Sequence, residues 1–181
     1  MSVAQWSEYD EKMLSAFVAK PKKMAWYRDL YDRATSSGSL LTCWKWSWWA
    51  FLSGGALFLF YRKVYPIALA IFSVNLFCTT FMQQAVYSRG GSWLIGRSID
   101  YGITFVALGI IIGGLAPYFI IKRYCDLKEA IESKYANEDD RIAAMARHGG
   151  VHQWVVTVFK YLLIFNLCLL LILFIRDFVL G

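Results

Sequence analysis

WSWWAFLSGGALFLFY, residues 46–61, decides how this 181-residue chain is built. The stretch carries no charge, and Gly54-Gly55 interrupts it. Divided there, it gives two limbs of about eight residues, roughly 12 Å each at the helical rise. Neither limb crosses a bilayer core of about 30 Å. Trp44, Trp46, Trp48 and Trp49 crowd its start, and tryptophan prefers the membrane–water interface, where ring and N–H meet different solvents. The stretch is therefore expected to dip into a membrane and return. The competing layout is a short, tilted spanning helix whose glycines serve packing.

Three longer apolar runs surround this choice: 64–87, 101–121 and 154–175. Each reaches the roughly 20 residues that a spanning helix needs. Pro66 stands near the start of the first, where proline is tolerated. Lys160 is the one charge in the last and can snorkel to the near surface. The chain is 58% hydrophobic and only 18% charged, and its apolar residues are gathered in runs, which argues against a soluble single-core domain and rules out a disordered chain.

Lys and Arg placement separates the layouts. If 46–61 returns to its own side, residues 1–47, the link Arg62-Lys63 and the loop after 121 share one compartment, and only Arg89, Arg97 and Arg176 face the other. If it crosses, the bias vanishes. The positive-inside rule favours the returning layout, with the N-terminus cytoplasmic. The net charge of +6 reads as orientation and attraction to anionic lipid, with no nucleic-acid role implied.

The organisation follows. Residues 1–39 hold two amphipathic helices divided by Pro21, lying on a membrane surface or against the rest of the protein. Residues 40–63 hold the aromatic segment, 64–121 a transmembrane helical hairpin, 122–153 a charged helical cytoplasmic loop and 154–181 the last spanning helix. Inside that loop, Asn137 followed by Glu138, Asp139 and Asp140 predicts a helix start, with an N-cap and acids at the positive dipole end. Gly149-Gly150 predicts its end. Trp6, Glu8, Asp10 and Glu11 leave no apolar region for a cleavable signal. The chain is expected to insert by its first internal apolar segment and keep its N-terminus. Cys43, Cys78, Cys125 and Cys168 are far apart in sequence, so no paired-cysteine metal or redox motif exists.

Trp48, Ala50, Phe51, Gly54, then Tyr61-Arg62-Lys63 and Tyr65, resemble a family of small bacterial inner-membrane proteins catalogued as domain-of-unknown-function family 2628. Its pattern is an aromatic stretch, a Gly-Pro, further apolar residues, then Y-R-K and an aromatic. Gly55 stands where many members have proline, and the spacing to Tyr61 is one residue longer. Pro117-Tyr118 through Lys122-Arg123-Tyr124 is similar to the family's second charged junction. The resemblance covers about twenty residues firmly. It implies an all-α bacterial inner-membrane protein and brings no catalytic residues.

Candidate chemistry is sparse. Arg62, Lys63, Lys122 and Arg123 form two basic junctions, either topological anchors or a site for anionic lipid or an acidic partner. Gly102, Val106, Gly109, Gly113 and Ala116 make a small-residue stripe with a GxxxG, which lets a helix of the same chain or of a second copy approach closely. Asn75 and Asn166, near mid-run, read as interhelical glue or, with Gln83 and Gln84, as a pore lining. Asp100 reads as an N-cap. His148 and His152 are four apart, but Gly149-Gly150 between them breaks the helical face that a metal pair needs. No catalytic triad, phosphate loop or dinucleotide fingerprint occurs.

The expected fold is an all-α membrane protein: three transmembrane helices, an aromatic re-entrant hairpin turning at Gly54 and Gly55 (alternatively four transmembrane helices), and cytoplasmic amphipathic helices. The expected role is a non-enzymatic accessory or scaffold protein without cofactor or metal. Its partners would be the bilayer, anionic lipids, and a protein partner or a second copy. The alternatives are a small oligomeric channel or transporter subunit and a lipid-directed membrane enzyme.

Overall fold

A computed structural model describes residues 6–37, 45–53, 55–88 and 93–180; the side chains of 93–101 and most of those in 166–180 lie outside that description. Every regular element among the described residues is a helix. Two units are distinguished, Met1–Val151 and His152–Gly181.

In the first unit, α1 (Glu8–Val18) starts where the Ser7 hydroxyl accepts the Asp10 N–H at 3.0 Å. It stops at Ala19, whose φ of 53° is left-handed. A 3-10 turn, Pro21–Lys23, leads into α2 (Met24–Ser37). Pro21 divides these helices because it has no N–H to continue the first. Met13, Leu14, Phe17, Leu30 and Ala34 recur at helical spacing and are buried, so both helices turn their apolar stripes inward against the protein.

The aromatic stretch forms two short helices, α3 (Trp48–Leu52) and α4 (Ala56–Tyr61), joined through a turn. Gly54 lies outside the described residues. Gly55 has φ 79° and donates its N–H to the Ala50 carbonyl at 2.9 Å. Then come α5 (Tyr65–Tyr87) and α6 (Trp93–Lys134), packed side by side. Both are long and apolar enough to cross a membrane.

Their surfaces change along their length. On α5, Leu69, Phe72, Leu76, Phe77 and Phe81 are exposed, and on α6 Ile103, Val106, Ile110 and Ile111 are exposed. Beyond Ile111 the apolar residues of α6 turn inward: Ala116, Ile120, Ile121, Tyr124 and Ile131 are buried. The helix does not pause at Lys122. Its 42 residues run about 63 Å at 1.5 Å per residue, twice a bilayer core. The sequence from Asp126 to Lys134 holds good helix formers and no Gly or Pro, so nothing stops it there.

The second half of α6 is the spine of a cap made with α1, α2 and α7 (Glu138–His148). Asn137 caps α7 by accepting the Asp139 N–H at 3.3 Å, and Gly149 ends it, as the sequence predicts. Phe17 and Tyr31 pack on Tyr124 at centroid distances of 5.2 and 5.5 Å. Lys128 Nζ lies 2.6 Å from Asp10, and the Tyr9 hydroxyl donates to Glu132 at 3.1 Å. These contacts tie α1 to α6.

The second unit is α8 (Gln153–Leu180), a single 28-residue helix. Trp154, Tyr161, Phe165, Leu171 and Ile172 are exposed on it.

Candidate functional site

The residues between the cap and the outward-facing apolar helices form two linked features: an aromatic wedge and a cationic junction.

The wedge, α3 and α4, is held by α6. Ser47 serves twice. Its hydroxyl accepts the Ala50 N–H at 3.3 Å, and its own N–H donates to the Gly113 carbonyl at 2.8 Å. That carbonyl is free for a covalent reason. Inside a helix it would accept from the residue four positions on, which is Pro117, and proline has no N–H. The proline orphans an acceptor and the wedge takes it.

Small residues on α6 make room. A Cβ at Gly109 would meet the Phe51 ring at 2.9 Å, and one at Gly113 would meet the Trp46 ring at 3.0 Å. Ala116 is fully buried on the same face. Three members of the small-residue stripe thus lie on the wedge side of α6, two of them packed by the chain's own aromatic segment. Gly102 has nothing within 4 Å. On the opposite side of the wedge, Trp48 and Trp49 are 66% and 69% exposed, with Leu52 beside them.

Both ends of the wedge reach α2. Lys45, before it, pairs with Asp29 at 2.8 Å; Arg62, after it, lies 4.8 Å over the Tyr27 ring. An unbroken helix over 46–61 would hold its ends about 24 Å apart, yet these land two residues apart on one helix.

The junction begins at Arg62. It is only 4% exposed, so its side chain lies inside the protein and not on the open surface that its place beside an apolar run suggests. Its guanidinium stacks on Phe17 at 5.6 Å as well as Tyr27 and donates to the Val18 carbonyl at 3.4 Å. Its Nε and second terminal nitrogen are buried without a partner. Burial raises the Tyr27 hydroxyl pKa, and the Arg62 charge opposes it. Lys63, at φ 61°, donates to the Arg147 carbonyl at 3.2 Å. Burial and then the neighbouring Arg123 charge lower its pKa. Arg123 donates to the Lys63 carbonyl and, at 3.0 Å, to the His148 carbonyl.

Lys122 is not part of this group; it is exposed and pairs with Asp126 at 3.2 Å. The two basic junctions of the sequence therefore contribute three residues to one cluster and leave the fourth outside it. Asn75 accepts a hydrogen bond from Thr79 within α5 at 3.4 Å, and Gln84 is exposed. Asp100 is not the N-cap that the sequence suggests, because α6 already begins at Trp93. The side chains of Asn166, Gln83 and Asp100 lie outside the described residues. The His148 carbonyl serves the junction, while His152 stacks near Trp154 at 5.9 Å in the second unit. Among the described residues, no three His, Cys, Asp or Glu side chains gather as metal ligands would.

Sequence reading missed the burial of Arg62 and the pairing of Ser47 with Gly113. Pro117 signals the second, since it announces a free carbonyl four residues earlier. It also missed an open cleft of about 350 Å³ on the cap, lined by Tyr31, Cys125, Lys128, Glu129 and Glu132. No protein-family model, no curated protein and no solved structure matches this chain.

Proposed function

We propose that this chain is a multi-pass inner-membrane protein of bacteria, of accessory or scaffold type. It crosses the bilayer with α5, the first half of α6 and α8, and it carries α1, α2 and α7 as a cytoplasmic cap. The wedge enters the cytoplasmic leaflet and returns.

The observation that carries this reading is the return of Lys45 and Arg62 to neighbouring positions on α2. It agrees with the one-sided distribution of lysine and arginine. The outward apolar face of α5 and early α6 supports immersion in lipid, because an apolar surface of that extent is costly in water. Exposed Trp48 and Trp49 suit the interface on the same side. A scaffold acts through surfaces, and the cap offers polar helical faces on α1, α2 and α7. A channel built on the glycine stripe would need that face of α6 for a second copy, and Phe51 and Trp46 occupy it.

Accessibility labelling tests the layout. In a chain with the native cysteines replaced by serine, Lys20→Cys and Glu138→Cys should react with an impermeant maleimide from one side of sealed vesicles, and Gly90→Cys from the other. Reaction of Lys20→Cys and Glu138→Cys from opposite sides would remove the returning wedge. Release of the chain by alkaline carbonate would remove the membrane reading altogether.

A further inference from the structure

Arg62, Lys63 and Arg123 bring three positive charges together at the base of the wedge. Among the described residues, none of them pairs with a carboxylate. What faces them is backbone and, for Arg62, the rings of Phe17 and Tyr27. Arg62 meets the end of α1 at Val18; Lys63 and Arg123 meet the end of α7 at Arg147 and His148. Each helix C-terminus carries roughly −0.5 of an elementary charge. Two such ends offset about one of three cations, leaving roughly +2 in a region where burial makes charge expensive.

Hydrogen bonding is incomplete in the same place. Nε and one terminal nitrogen of Arg62 and Nε of Arg123 are buried without acceptors. Buried donors of this kind require partners, and charged ones most of all. An anion with several acceptor oxygens fits that need, since a guanidinium presents its N–H groups as a planar fork and the cluster keeps surplus positive charge. Lys63 and Arg123 are only half-buried and form the outer side of the cluster.

We propose that Arg62, Lys63 and Arg123 bind a phosphate group. Its oxygens take the free N–H groups of the two arginines, and the Lys63 ammonium closes on it from the outer side. The cluster sits beside the start of α5 and partway along α6, where these helices leave their outward apolar faces. A phospholipid headgroup reaches it there, and so does free phosphate. The site rests on the membrane reading only for the first of these sources.

The full chain, purified in a non-ionic detergent without added lipid, is assayed for phosphorus and by native mass spectrometry. It is then titrated with inorganic phosphate against chloride of equal ionic strength while its melting temperature is followed. Arg123→Gln and Lys63→Gln are the working variants, because both residues are half-exposed; Arg62→Gln is added if it folds. One phospholipid retained per chain, lost in Arg123→Gln, supports the site with lipid as the source. Without retained lipid, a rise of roughly 3–6 °C at about ten times the dissociation constant, weakened at least tenfold in affinity by either variant, supports it with free phosphate as the source. No retained lipid and no phosphate-specific rise overturn the proposal. So do variants whose melting temperature falls equally in phosphate and chloride, which is the signature of a purely structural role. The titration reads the same on a chain that carbonate extracts, so the membrane reading and the phosphate site fail independently.

Discussion

Gly55 is the residue at which the wedge stands or falls. Its φ of 79° lies where side chains other than glycine are strained. An added Cβ would also lie 2.8 Å from Cβ, Cγ1 and Cγ2 of Ile112. Ile112 is branched at that carbon and buried in α6, so it has little room to yield. Gly55→Ala should therefore destabilise the protein by about 1–3 kcal/mol. Gly102→Ala, in open space within α6, should be neutral or raise stability by up to about 1 kcal/mol through helix propensity. Parallel thermal unfolding of the two variants in detergent checks this, and equal effects would refute the assignment of Gly55 to the turn. The sequence shows the glycine pair as an interruption. It does not show Ile112, because the partner is set by how far the wedge reaches along a helix made later in the chain.

At the scale of elements, α6 combines a helix broken chemically at Pro117 with one that continues geometrically to Lys134. The freed Gly113 carbonyl is the fixed point for Ser47. Pro117→Ala restores an N–H that competes for this carbonyl while removing the proline cost from the helix. Helix content should stay unchanged by circular dichroism. Amide exchange at Ser47 should accelerate about tenfold, the equivalent of a hydrogen bond worth roughly 1.4 kcal/mol. Unchanged exchange would mean that the ring of Trp46 against Gly113 holds the wedge without the bond.

The helix boundaries at Pro21, Asn137 and Gly149 were legible, since these residues act through local chemistry, whereas the start of α6 at Trp93, ahead of the apolar run at 101, was not. The passage of α6 through Lys122 was not legible as continuous. There the composition turns from apolar to charged while helix propensity persists, so a change of surroundings reads like a change of element. The cationic site was half legible: its residues stand out beside apolar runs, but the burial of Arg62 depends on Phe17 and Tyr27 from earlier helices.

For the whole molecule, the cap is held together, and tied to the wedge entrance, by ion pairs as well as apolar packing. Asp10 meets Lys128 across α1 and α6, and Asp29 meets Lys45 across α2 and the wedge entrance. Burial alone would raise the Asp10 pKa, but hydrogen bonds from Lys128 and Ser7 outweigh it and hold it below the usual 3.8. For Asp29 the Lys45 hydrogen bond leads, burial opposes and Arg33 adds, again with a lowered result. A carboxylate held low in the fold contributes fully above its unfolded pKa, near 3.8. The contribution drains away as pH falls through the lower folded value. Melting temperature should thus be level above about pH 5 and fall below about pH 4. Asp10→Asn should be less stable at pH 7 and show a shallower acid decline; an identical decline would exclude this pair as its source.

Ser47 and Trp46 are translated well before the carbonyl and the glycine that receive them. About fifty residues separate the end of the wedge from its seat at 109–117. At 5–20 residues per second, a ribosome takes roughly 3–10 s to supply them. On the membrane reading proposed above, Trp46, Trp48 and Trp49 spend that interval without their seat on α6, among headgroups and water, an environment that suits indole. The aromatic composition of the segment thus also suits the wait before its seat exists.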